Sequence, residues 1–166
     1  MNRVACPAPR RLASFALASV PGSERVALTQ VADSVAHLNL PPQRLNKLKT
    51  AVAEVTMNAI EHGNDNRADL DVDIEVLYSG TEIVVTVTDH GGGDPGWAGD
   101  GDDAEIPDLD RKLSGDQGPR GWGLFLIRHM VDGMKVTVEG ERRTVWLTLR
   151  TRVPGRPSGG LRHIGG

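Results

Sequence analysis

At 166 residues, with 39% hydrophobic and 25% charged side chains, the chain has the size and balance of one soluble globular domain with a substantial core. Its net charge of -3 supplies no global basic field for nucleic acid or an anionic membrane. Cys6 is the only cysteine, which excludes a disulfide framework or a cysteine-based zinc site within one chain and fits a reducing compartment.

The opening MNRVACPAPRRLASFALASV places arginines before a mildly apolar run, as an export signal does, but Ser14 and Ser19 interrupt the run. No stretch reaches the roughly 20 apolar residues of a membrane span, so a cytoplasmic protein is expected. Residues 12–20 read as a first strand that Pro21 and Gly22 end. Ser23 and Glu24 open a helix, SERVALTQVADSVAHL, with Val26, Val31, Val35 and Leu38 as its apolar stripe. After NLPPQ a longer helix runs from Pro42 to His62, with Leu45, Leu48, Val52, Val55 and Ile60 inward and Gly63 as its stop. DVDIEVLY (71–78) and EIVVTVTD are β-branched runs joined at Ser79-Gly80-Thr81, the pattern of antiparallel neighbours.

From Gly91 to Gly121 glycine, proline and acidic residues dominate, which reads as a lid or binding segment. GWGLFLIRHMVDGM returns to helix, KVTVEG and RTVWLTLR form a closing hairpin, and residues 151–166 read as a flexible, weakly basic tail beyond a single domain. Helices flanking an antiparallel hairpin, with five strands in all, predict an α+β fold: a two-layer α/β sandwich with a mixed, mostly antiparallel sheet.

Three features carry chemistry. In EVTMNAIEHGNDN, residues Glu54, Asn58 and His62 recur every four positions, and on a helix such positions stay within about 40° of one another. The stripe borders apolar residues, where an unpartnered carboxylate or amide is costly. In DHGGG, Asp89 ends a strand and can accept a hydrogen bond from an exocyclic amine, while Gly91 and Gly93 let backbone approach a flat ligand. Taken alone, such a strand end is more often a plain turn. RGWGLFLI opens a helix whose first amides and dipole suit a phosphate, although it lacks the P-loop lysine and hydroxyl and does not match GxGxxG.

Together, and in this order, ExxxNAxxHG, DxGxG and GxGLxLI resemble the ATP-binding family of gyrase, Hsp90, histidine kinases and MutL. Within it the chain is most similar to the small bacterial serine/threonine kinases that act as anti-sigma factors, over roughly residues 12–150. The resemblance implies ATP and Mg²⁺, with Asn58 as metal ligand and Glu54 as general base for phosphoryl transfer. It implies that Asp89 holds the adenine amine beside Gly91 and Gly93. Gly121, Gly123 and Leu124, with Arg120 and His62, would line the phosphate side.

Residues 94–120 would form the ATP lid, with eight acidic side chains against three basic ones. The implied partners are an anti-anti-sigma antagonist protein and a sigma factor, with a homodimer expected and no direct contact with nucleic acid or membrane. Three other functions remain open: a nucleotide hydrolase, a histidine-kinase catalytic domain standing alone, and a module that binds ATP without turnover.

Overall fold

The computed structural model describes residues 8–92 and 122–151, the side chains of 122–125 excepted. The lid, Trp97, Gly93, Arg120, Gly121 and the tail from 152 onward lie outside the described residues. Chain order is β1 (Arg10–Ala18), α1 (Ser23–Val35), α2 (Pro42–Asn58), β2 (Asp71–Tyr78), β3 (Glu82–Asp89), α3 (Trp122–Met130), β4 (Gly133–Glu139) and β5 (Arg142–Arg150). The strands form one sheet in the order β1-β2-β3-β5-β4. Every described ladder is antiparallel. The helices cover one face of it, with α2 between α1 and α3 and packed on β3 and β5. This is the expected α+β sandwich.

Periodicity explains the layering. Val72, Ile74 and Val76 of β2, Ile83, Val85 and Val87 of β3, and Val145, Leu147 and Leu149 of β5 alternate inward and are buried. Leu48, Val52, Val55 and Ile60 meet them from α2 and the turn that follows it, as expected. Sealing each such side chain contributes about 1.5–3 kcal/mol. On α1 the inward row is Ser23, Ala27, Val31 and Val35, at strict intervals of four. Val26, expected inward, is 44% exposed because that row turns it toward solvent.

Several boundaries differ from the sequence reading. The first strand begins at Arg10 and ends at Ala18, with a bulge between Arg11 and Ala13. The first helix stops at Val35, and Ala36–Leu38 tighten into a 3-10 turn. The last helix ends at Met130, because Gly133 and Met134 already pair with β5.

The start of α2 is anchored by charge. The Arg44 side chain bonds the Asp132 carboxylate and donates to the Arg150 carbonyl at 2.6 Å. The same carboxylate accepts the Arg150 backbone N–H at 2.7 Å, and the Asp132 N–H donates to Thr148 at 2.9 Å. Burial alone would raise the Asp132 pKa. The Arg150 N–H, the Arg44 side chain and the charges of both arginines outweigh it and hold the carboxyl below its ordinary value. The stability this anion supplies is therefore present at neutral pH and lost as pH falls through that lowered value.

Asp132→Asn should thus destabilise the protein by about 1–2 kcal/mol at pH 7. In urea titrations its gap from wild type should shrink in acid; a gap that is constant with pH would contradict the ionic assignment.

Candidate functional site

On α2, Glu54 and Asn58 sit one turn apart and are half-buried, as is His62 just beyond the helix. Among the described residues, no side-chain hydrogen bond or ion pair engages any of the three. Glu54 and Asn58 keep the helical spacing read from the sequence, and His62 lies past the regular helix. The helix carrying them does not run evenly to its end, however. After Asn58 the winding widens to a π turn over Ala59–Gly63, closed by the Asn64 N–H donating to the Ala59 carbonyl at 2.8 Å. Single π turns of this kind recur at functional sites because they reposition the side chains beyond them.

The wider turn lowers the chain onto the end of β3. A Cβ on Gly63 would lie 2.3 Å from Asp89 Cγ, and one on Gly91 would lie 2.1 Å from the Gly63 carbonyl oxygen. Real Cβ atoms do not approach so closely, so both positions require glycine for packing. At Gly91 the direction that a Cβ would take is filled by the Gly63 carbonyl and Asn64. Its first role is to let the strand exit pass beneath the helix end.

Asn64 fixes this junction. It is fully buried, and its amide nitrogen donates to Ser19 Oγ at 2.8 Å and to the Asp71 carbonyl at 3.0 Å. Its amide oxygen accepts the His90 backbone N–H at 2.8 Å. One side chain thereby ties the exit of β1, the start of β2 and the exit of β3. His90 adds a 2.7 Å contact from its ring nitrogen to Asp73 on β2.

The junction encloses Asp89. The residue is 1% exposed, and its Oδ1 is buried without a hydrogen-bond partner. Burial raises its pKa to about 6, against the opposing charges of Arg143 and His90. Such an oxygen is poised to accept from a donor that the described residues do not supply, and the amine of a nucleobase fits that requirement. Among the described residues no group of three or more His, Cys, Asp or Glu could hold a metal ion by itself. Gly123 and Leu124 fall in the first turn of α3, on the backbone only.

A family model for the histidine kinase-like ATPase domain matches residues 17–149. The chain belongs to this family. An anti-sigma F factor of Oceanobacillus iheyensis is 32% identical over 136 residues, spanning 81% of this chain and 89% of that protein. One from Clostridium botulinum is 31% identical over 130 residues, spanning 74% of this chain and 81% of its own length. Among solved structures, the RsbU and RsbW domains of a Mycobacterium tuberculosis protein superpose with a TM-score of 0.57 at 18% identity. That match covers 90% of this chain and 34% of the longer one, and it supports the fold alone. In this histidine kinase-like ATPase domain no described helix is long and apolar enough to cross a membrane.

Sequence reasoning missed two residues of the site. Asn64 lies in EVTMNAIEHGNDN, two positions beyond His62, the last residue of the stripe. Its signal was an amide directly after a helix-ending glycine. Arg143 was passed over although it falls in phase with Val145, Leu147 and Leu149, the inward row of β5. An arginine in such a row marks a buried charge.

Three outcomes follow from this geometry. Because burial lifts the Asp89 pKa above its unfolded value, the stability tied to its proton is fully present below about 4 and lost as pH rises through about 6. Asp89→Asn should therefore stabilise the empty protein above pH 7, by at most about 3 kcal/mol, and flatten this part of its pH profile in urea melts. Asn64→Ala should cost about 2–4 kcal/mol by orphaning the groups it ties together; a loss below 0.5 kcal/mol would remove its anchoring role.

Proposed function

We propose that the chain is an ATP-dependent protein serine/threonine kinase of the anti-sigma type. Its phosphoacceptor is a serine or threonine of a small antagonist protein, and its second partner is a sigma factor. The observation that carries this reading is the pair of unengaged groups, Glu54 and Asn58, one turn apart on the helix whose end encloses the acceptor oxygen of Asp89. The partners are drawn from the relatives named anti-sigma F factor.

In this reading Asp89 accepts the 6-amino group of ATP in a site too dry for water to compete. Asn58 would hold Mg²⁺ through its amide oxygen, a suitable hard ligand, and the cation would supply positive charge to offset that of the phosphates. Glu54 takes the proton of the acceptor hydroxyl as the new oxygen–phosphorus bond forms. The bond from the γ-phosphorus to the β–γ bridging oxygen breaks, and ADP leaves. By resemblance, Gly121, Gly123, Leu124 and Arg120 would meet the phosphates, and His62 would lie at the same end.

The test uses γ-labelled ATP with Mg²⁺, with and without candidate antagonist proteins. Label should appear on a partner serine or threonine and fall about 10²–10⁴-fold in Glu54→Gln while ATP binding persists. Steady phosphate release with no acceptor would replace the kinase by a hydrolase, and bound nucleotide with neither product would replace it by a binding module. Asn58→Ala should weaken Mg²⁺-dependent ATP binding at least about tenfold, equivalent to about 1.4 kcal/mol; unchanged affinity would remove its metal role.

A further inference from the structure

The β3–β5 ladder sets Asp89 directly opposite Arg143. Both face the helices, and both are nearly sealed, at 1% and 4% exposure. Every other inward residue of β5 is aliphatic, so a guanidinium here departs from the strand's own pattern. Buried charge of this kind persists where an opposite charge faces it. Arg143 acts on Asp89 in the direction expected: it favours the anion, while burial favours the neutral acid.

The remaining charges around Asp89 can be assigned by element. Just past β3, His90 adds a weaker pull toward the anion, and its ring is tied to Asp73 of β2. The π turn above contributes Gly63 at the contact; its ionisable residues, Glu61 and His62, are exposed and half-buried. Glu141, between β4 and β5, packs at Gly92. Arg143 is therefore the strongest charge opposing protonation of Asp89.

Charge state decides which base this carboxyl can read. An ionised carboxylate only accepts hydrogen bonds, whereas the neutral acid also donates one. A 6-amino purine presents a donor at that position, and a 6-oxo purine presents an acceptor. The anion thus pairs with the first and repels the second, while the neutral acid can donate to the second.

We propose that Arg143 is the positioning residue of the base pocket: by holding Asp89 in its acceptor-only form, it makes the site select 6-amino over 6-oxo purine nucleotides, a selectivity that acid relaxes. This rests on the assignment of Asp89 as the base-reading group in an ATP site.

The experiment measures affinities for ATP and ITP, each with Mg²⁺, from pH 5 to 8 on the full chain. The two triphosphates titrate alike, so the ratio of affinities isolates the base. ATP should be preferred about 100-fold at pH 8, and the preference should fall about tenfold or more toward pH 5, with its midpoint near 6. Arg143→Met should move that midpoint to higher pH, Arg143→Lys should restore it, and Asp89→Asn should make the ratio independent of pH. A wild-type ratio that is flat with pH, or an identical midpoint in Arg143→Met, overturns the proposal. Should Arg143→Met fail to fold, Arg143→Gln takes its place: a midpoint moved to higher pH supports the proposal, and an unmoved one overturns it. Failure to bind either nucleotide at any pH overturns the ATP-site reading itself and is distinguishable from both.

Discussion

The helix end and the strand end meet at Gly63 with no room between the helical backbone and the Asp89 carboxyl. Much else follows from that approach. It requires glycine at Gly63 and at Gly91, goes with the widened last turn of the helix, and removes water from a carboxylate that has no partner for one oxygen. The arrangement works against stability, because a sealed acid favours its neutral form and loses folding free energy at neutral pH. Asn64 offsets the loss by satisfying backbone and hydroxyl groups of three strands at once.

At its other end α2 is held by Arg44, which reaches the Asp132 carboxylate and the Arg150 carbonyl. A helix of this length spans about 25 Å. Fixed at both ends and packed along its length on β3 and β5, it presents Glu54 and Asn58 from a rigid scaffold. In the proposed kinase such rigid placement would matter, because in phosphoryl transfer positioning and electrostatics supply most of the rate and small displacements are costly. On the opposite face of the sheet, Leu77, Val84 and Trp146 border an apolar depression of about 400 Å³ that shares no residue with the candidate site.

The architecture was largely legible because its signals are local. Alternating β-branched residues specify which face of β2, β3 and β5 is buried, and the apolar row of α2 specifies what covers them. The hairpin at Ser79-Gly80-Thr81 fell where expected. The misjudged boundaries are those that pairing partners decide: the last helix yields Gly133 and Met134 to a ladder with β5 that no helical pattern announces. At the site, the stripe of Glu54 and Asn58 was readable from spacing alone. The π turn was not, since it goes with a contact between Gly63 and Asp89, 26 positions apart in sequence, that no local pattern announces.

The departures from local rules converge in space. A helix abandons its regular winding at Ala59–Gly63, a buried acid keeps an unpartnered oxygen, and an otherwise aliphatic strand row carries Arg143 inward. Each carries a cost that a chain selected for stability alone would avoid. Their conjunction at one corner, under a helix bearing an unengaged carboxylate and amide, is what marks this corner as the candidate site. Asp89 contributes least to the folded state when it is ionised, and that is the form an amine-bearing base requires. In the proposed base pocket Arg143 eases the conflict, because it favours the anion from across the ladder.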